Sequence, residues 1–329
     1  MRTIAKLLLF ALIVAAALVA YGLLVPTGPT SEQFLLLKPG STARRIARDL
    51  KANGLIRSEY AFLAVHAWKA KSLKAGEYRF SHRANALEVY DRVARGDIVV
   101  HTVTIPEGYN IFDVAALLEQ AGLGARADFL APARDPAFVA SVIGDLDPQA
   151  ASLEGYLFPD TYEFTRTQSP RDMLQQMVRR FRQTAQQLGL SADVHRVVTL
   201  ASIVEKETAI DAERPLVAGV YHNRLAKNAA LGADPTVVYA SLLVGKYDGV
   251  IRQSDLALDS PYNTYKYAGL PPGPIANPGR TALAAALHPA PTDFFYFVAD
   301  PANPGHHHFA VTAAEHTRNV GAYRRATRR

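Results

Sequence analysis

The sequence predicts an α+β protein with its chemistry in the second half of the chain. Short strand patterns are mixed with longer amphipathic helical stretches along the chain. An unbroken apolar run opens the chain, and a helical stripe at Val194–Thr208 carries a carboxylate on its apolar face. The chain has 329 residues, enough for two domains, and its 49% hydrophobic and 20% charged composition excludes global disorder. It has no cysteine, so thiol catalysis and cysteine–metal sites are excluded. The net charge of +6 is modest and lies partly in the tail Arg324-Arg325 and Arg328-Arg329. No recognition motif points to nucleic acid.

Leu7–Val25 carries no charge and follows Arg2 and Lys6. As a helix it is about 28 Å long, close to the hydrocarbon thickness of a bilayer. Basic residues before it keep the N-terminus cytoplasmic and place the remaining chain outside the membrane. A cleaved signal peptide ending near Leu18-Val19-Ala20 is the rival; the length of the run favours an uncleaved anchor. Absence of cysteine fits an exported protein that needs no disulfides. Pro26–Ser31 breaks the run as a linker, so residues 1–30 form an anchor segment.

A strand–turn–helix pattern then occurs twice at a spacing of 68 residues. Gly40, Ile46, Ala47, Leu50, Gly54 and Leu55 match Gly108, Val114, Ala115, Leu118, Gly122 and Leu123. Phe34–Leu37 and Val99–Ile105 are the strands leading in, and each helix stops at a glycine. Ser58–Trp68 reads as a further helix and Gly76–Phe80 as a returning strand, completing the first copy. Both copies are grouped in a positioning module over 31–150, whose end, Asp128–Gln149, is helical and punctuated by Pro132, Pro136 and Pro148. Residues 151–329 then form the second domain. Ser169-Pro170 opens a helix that ends at Gly189, with Met173, Leu174, Met177, Phe181 and Leu188 as its core stripe. Glu213–Leu225 reads as another helix, and Asn277-Pro278 as the cap of one reaching Leu287. Phe294–Val298 reads as a buried strand, and Thr312 with Glu315 as a capping box for the last helix.

Within Val194–Thr208, the positions Val194, Val198, Ala201 and Thr208 share a face, and Glu205 lies between the last two. Glu207 points elsewhere. Partial desolvation disfavours the charged form of a carboxyl and raises its pKa, which makes Glu205 a proton donor usable near neutral pH. A structural reading has Glu205 snorkel to water or pair with Lys206 or Arg214. Three loops surround this helix in sequence: EGYLFPDTY (154–162), LGADPTV (231–237) and YNTYKYAGLPPGPIANP (262–278). Tyr156, Phe158, Tyr162, Tyr262, Tyr265 and Tyr267 suit the apolar faces of sugar rings, and Asn263 and Asn277 suit their hydroxyls. The same residues would also pack the loops themselves. Asp234 suits glycan binding or loop orientation. His306-His307-His308 resembles a metal-binding tract, but it sits between a glycine turn and an apolar strand, so no metal and no cofactor is assigned.

Together LASIVEKET (200–208), EGYLFPDTY, DPTV, YNTY, GLPPGPIANPG (269–279), HPA and YFVAD (296–300) resemble the MltG/YceG-like endolytic peptidoglycan transglycosylases. The resemblance implies an anchor in the inner membrane, a LysM-like small α/β module and a periplasmic α+β catalytic domain. It implies a lytic transglycosylase that cuts the β-1,4 bond between N-acetylmuramic acid and N-acetylglucosamine within glycan strands and leaves 1,6-anhydro ends. The catalytic carboxylate then falls on Glu205, and a Gly-His pair that the family has at this point implies that one histidine of the tract, taken as His307, lines the groove. Peptidoglycan strands are the implied partner, with a membrane-bound peptidoglycan synthase as a second. Gly232 departs from the family, which often has a polar residue there. Two alternatives stand beside this reading: a muramidase using water, and an inactive membrane-tethered glycan-binding scaffold.

Overall fold

The computed structural model describes residues 2–327; Arg328-Arg329 of the basic tail lie outside them. The chain begins with α1 (Arg2–Leu24), whose Thr3–Leu24 portion is long and apolar enough to cross a membrane. Then come β1 (Gln33–Leu37), α2 (Ala43–Ala52), α3 (Glu59–Lys69), β2 (Gly76–Phe80) and α4 (Ala86–Arg95). They are followed by β3 (His101–Thr104), α5 (Ile111–Gln120), α6 (Arg126–Ala133), α7 (Pro136–Ile143) and β4 (Thr161–Phe164). The remainder is α8 (Pro170–Leu188), α9 (Val194–Glu207), α10 (Arg214–Ala226), α11 (Asp234–Leu243), α12 (Arg280–Leu287), β5 (Tyr296–Ala299), β6 (His307–Ala310) and α13 (Ala313–Thr327). The strands pair as β1–β2, β3–β4 and β5–β6, so the architecture is α+β, with three small sheets among the described residues.

The chain forms two compact units, residues 1–102 with 163–169, and residues 103–162 with 170–329. In the first, β1 and β2 pair antiparallel from Gln33–Phe80 to Leu37–Gly76, with α2 and α3 between them in sequence. Leu37, Ile46, Leu50, Phe62, Tyr78 and Tyr90 fill its core. Arg57 lies over the Tyr21 ring and donates to the Val25 and Pro26 carbonyls, tying the chain to the end of α1. Pro26–Ser31 is held by a bridge between Thr27 and Ala84.

The repeat is real in geometry. Helices α2 and α5 start and stop at the repeat spacing, Gly40 and Gly108 share φ +75°, and Gly54 and Gly122 share φ +69°. All eight matched apolar positions are buried. The two copies nonetheless fall in different units, so the structure divides at 102 where composition suggested 150. Sequence similarity registers local turn and helix chemistry; which core each helix joins depends on distant residues. In the second unit α12 packs on α9 and α10, and α6 on α5 and α8.

Several boundaries also differ. Asp234 opens α11 with Pro235 in its first turn, where a loop was expected. The cap of α12 is Gly279, and Asn277 is buried before it. The strand expected over Phe294–Val298 begins at Tyr296 and is only half-buried. The Thr312–Glu315 capping box forms as expected, with Glu315 N–H donating to Thr312 Oγ1 at 3.3 Å and Thr312 N–H to Glu315 at 3.1 Å.

Candidate active site

Helix α9 carries a stripe of buried residues, including Val194, Val198 and Ala201, and places Glu205 in its last turn. Three of its side chains fasten the loop before α12. His195 Nε2 lies 2.9 Å from the Pro272 carbonyl, Ser202 Oγ accepts from Ile275 N–H at 3.0 Å, and Glu205 Oε2 accepts from Gly279 N–H at 2.9 Å. The loop can lie this close because Gly155 stands between Val198 and Pro274. A Cβ there would come within 2.8 Å of both, and its φ is +89°.

The loop is tied on its other side by Asn277. Its side chain donates to the Tyr109 carbonyl at 2.8 Å and accepts from Leu157 N–H at 2.9 Å, and its backbone carbonyl accepts from Gly108 N–H at 3.0 Å. Beneath it Glu154 is wholly buried, accepting from Ile111 N–H and from Tyr239 Oη at 2.9 Å. Burial pushes its carboxyl up to about 8, against the hydrogen bonds from Ile111 and Tyr239 that lower it.

At the far end of α9, His195 Nδ1 lies 2.8 Å from Asp147, which also accepts from Tyr156 Oη. With a carboxylate on one ring nitrogen and a carbonyl on the other, both nitrogens must donate, so His195 is an imidazolium. The hydrogen bond to Asp147 raises its pKa above the ordinary value against a burial effect that lowers it. Stability from a raised histidine is complete below the unfolded value near 6.5 and is lost as pH rises through the folded one. The wild type should therefore lose thermal stability as pH rises above the unfolded value of about 6.5, and His195→Phe should flatten that part of a Tm–pH curve. Parallel curves for both proteins would contradict the latch.

The Glu205 carboxyl is 5% exposed, and its Oε1 accepts from Arg214 Nη2 at 2.8 Å. Arg214, the first residue of α10, is equally buried and also pairs with Asp211 at 3.1 Å and Glu107 at 3.5 Å. It donates to Thr281 Oγ1, which in turn donates to Asp211 at 3.0 Å. Three carboxylates thus share one guanidinium. The pKa of Glu205 is raised, first by burial, with Glu107 and Asp211 adding to it, while Gly279 N–H and Arg214 oppose. The carbonyl end of α9 acts in the same direction as burial. The carboxyl whose pKa is raised is the one of the three with least access to water.

Glu107 is the residue that sequence pattern missed. It lies in the turn of the second repeat, and its carboxylate fills the space a Cβ at Gly279 would take, 1.8 Å from its Oε1. Its side chain is 48% exposed and that of Asp211 69%, so these two are the solvent-facing members of the cluster. The Pro106-Glu107-Gly108 turn was a visible signal, but nothing local linked it to Glu205.

A sequence model of the YceG-like family matches residues 35–322. The chain belongs to the YceG-like family. Among relatives of this YceG-like chain, the endolytic murein transglycosylase of Bacillus subtilis is 32% identical over 302 residues, covering 86% of this chain and 82% of that protein. The endolytic murein transglycosylase of Streptococcus pneumoniae is 29% identical over 335 residues, and the match covers 91% of this chain and 60% of that longer relative. A solved yceG-like protein of Listeria monocytogenes shares 33% identity with a TM-score of 0.58, covering 88% of this chain and 99% of that one.

The YceG-like fold distributes the expected groove residues unevenly. Tyr156, Phe158, Tyr162, Asn263 and Asn277 are buried, and their polar atoms bond within the protein. Tyr162 Oη donates to the Phe158 carbonyl at 2.5 Å, and Asn263 Nδ2 to Leu256 and Leu258 at 3.0 and 2.8 Å. As placed, these residues shape loops; a tyrosine or asparagine in a proline-rich turn finds its partners in that turn's own backbone. Tyr262 is partly buried against the Tyr239 ring. Tyr265 is 43% exposed and donates to Asp234 at 2.6 Å. Gly232 has φ +57°, a conformation that a residue with a larger polar side chain would adopt only with strain.

His307 Nδ1 lies 2.8 Å from Glu213 and His306 Nδ1 lies 3.0 Å from it, while His308 pairs with Asp300 at 3.1 Å. The three rings therefore serve two different carboxylates. Glu207, read as pointing away from Glu205, accepts from Tyr221 Oη at 2.7 Å, and burial pushes its carboxyl up to about 7.

Proposed function

We propose that this chain is an endolytic peptidoglycan lytic transglycosylase that cuts the N-acetylmuramic acid–N-acetylglucosamine β-1,4 bond within strands and leaves 1,6-anhydro-muramyl ends. The observation that carries this is Glu205: a buried carboxyl with raised pKa, fixed by Arg214 and the Gly279 N–H. The relatives' activity supports the same reading. Protonated Glu205 gives its proton to the bridging oxygen as the C1–O bond breaks, and the bonding pair leaves with that oxygen. The substrate's N-acetyl carbonyl assists at C1. The Glu205 carboxylate then takes the proton of the 6-hydroxyl as O6 bonds to C1, which restores the acid. Arg214 and Gly279 stabilise the carboxylate between these steps at no cost of reorganisation. The tethered 6-hydroxyl replaces water with the entropic advantage of an internal nucleophile.

Within this reading α1, which holds the apolar run from Leu7 up to Leu24, is an inner-membrane anchor, with the N-terminus cytoplasmic and the rest periplasmic. The β1-α2-α3-β2 arrangement supports a LysM-like module that positions glycan. Anchoring also suits a partnership with a membrane-bound synthase, whose growing strand the cut would end. Asp234, Tyr265, Tyr262 and His307 are the groove residues this reading retains.

One observation favours a second reading. Glu107 is a half-exposed carboxylate on the same guanidinium as Glu205, where a base could activate water, and the chain would then be a muramidase. Digestion of peptidoglycan in ¹⁸O-water separates the two. The transglycosylase yields anhydro-muramyl ends without label; labelled reducing ends would make the chain a hydrolase.

A further inference from the structure

A cavity of 470 Å³ opens in the second unit, lined by Lys206, the neighbour of the acid in α9, and by residues of which only Asp234 has a place in the proposed groove. Its charged members are Lys206, Asp113 and Asp234, and its apolar wall includes Leu242, Tyr247 and Ile251. Its size is that of a small-ligand pocket. Lys206 follows Glu205 in α9, and the two side chains straddle Gly108. A Cβ at Gly108 would lie 3.4 Å from Lys206 Cδ and 3.6 Å from Glu205 Cγ. The cavity's lysine and the acid therefore meet at the same glycine. Lys206 Nζ spends one hydrogen bond on the Gly108 carbonyl, at 3.2 Å, and keeps others for a ligand. Tyr265 Oη fixes Asp234 in place by donating to its Oδ1.

Sugar rings of a glycan strand offer hydroxyls and apolar faces but no cation. A pocket with one ammonium, two carboxylates and an aliphatic wall instead matches a short peptide carrying both amine and carboxylate groups. Muramyl residues bear such a peptide on the lactyl group, a few bonds from the anomeric carbon being attacked. We infer that this cavity is a subsite for the stem peptide of the muramyl residue at the scissile bond. Its peptide carboxylate meets Lys206, a free amine meets Asp113 or Asp234, and aliphatic portions lie on Leu242, Tyr247 and Ile251. The inference rests on the proposed glycan cleavage for its choice of ligand, and on the cavity for its chemistry.

The test needs no turnover. The full chain carrying Glu205→Gln, in detergent, is titrated with N-acetylmuramic acid and with an N-acetylmuramyl peptide ending in a free diamino acid. The peptide form should bind at least about tenfold more tightly, the worth of one charge-assisted contact. Lys206→Met and Tyr247→Ala, each in that background, should remove the advantage. Equal affinity for the two probes, or an advantage that both variants retain, would overturn the subsite. The product-end assay reads the reaction independently. Reducing ends with a retained peptide preference would overturn the transglycosylase reading alone, and anhydro ends with indifferent binding would overturn the subsite alone.

Discussion

Glu205→Gln should fold like the wild type and lose about 10²–10⁴-fold in turnover on glycan strands, the range removed with a general acid. The glutamine keeps the volume and can accept from either Arg214 or Gly279, but its amide must face the other as a second donor. That mismatch costs on the order of 1 kcal/mol, against which removal of a buried ionisable group is a gain. Thermal melts should therefore move little while single-turnover rates collapse. A variant with most of its activity would remove Glu205 from the mechanism, and one that unfolds would make the carboxyl a structural element first.

The second large effect falls on Arg214. Arg214→Met should destabilise the second unit by about 3–5 kcal/mol, because a buried pair that loses one partner leaves its charge uncompensated. The loss should depend on pH. Glu107 and Asp211 reach solvent, but Glu205 does not, so without the guanidinium its folded pKa rises further. Stability linked to a raised carboxyl is complete below the unfolded value and is lost as pH rises through the folded one. Urea unfolding should show a small deficit near pH 5 and the full deficit near pH 8. A deficit of equal size at both values would mean that Arg214 acts through packing alone.

Much of the local structure was legible because it is local. The periodicity of α9, the stop of α8 at Gly189, the capping box of α13 and the twin helices α2 and α5 each depend on residues within a turn or two. The apolar stripe also anticipated the direction of the Glu205 pKa, and the contact with Arg214 belonged to the structural reading set beside it. What was not legible depends on residues far apart in the chain. Asn277 looked like a helix cap or a sugar reader; it staples the turns at Tyr109 and Leu157, a role written in neither neighbourhood. Glu107 precedes Arg214 by more than a hundred residues, and only the closure of the second unit brings them together. The aromatic loops were ambiguous for another reason: tyrosine beside proline suits a sugar groove and a self-packed turn equally, and burial decides between them.

At the centre stands a Glu205 carboxyl whose pKa burial raises above the ordinary glutamate range, which favours the protonated form that serves as the acid. The pH dependence of kcat/KM on soluble glycan strands reads the essential acid of the free enzyme directly. The alkaline limb should report a pKa above the ordinary glutamate value of about 4.3, and Glu107→Gln should move it downward by removing a like charge. A limb at or below the ordinary value, unmoved by that substitution, would contradict the account, because Glu205 would then be ionised at working pH and have no proton to give.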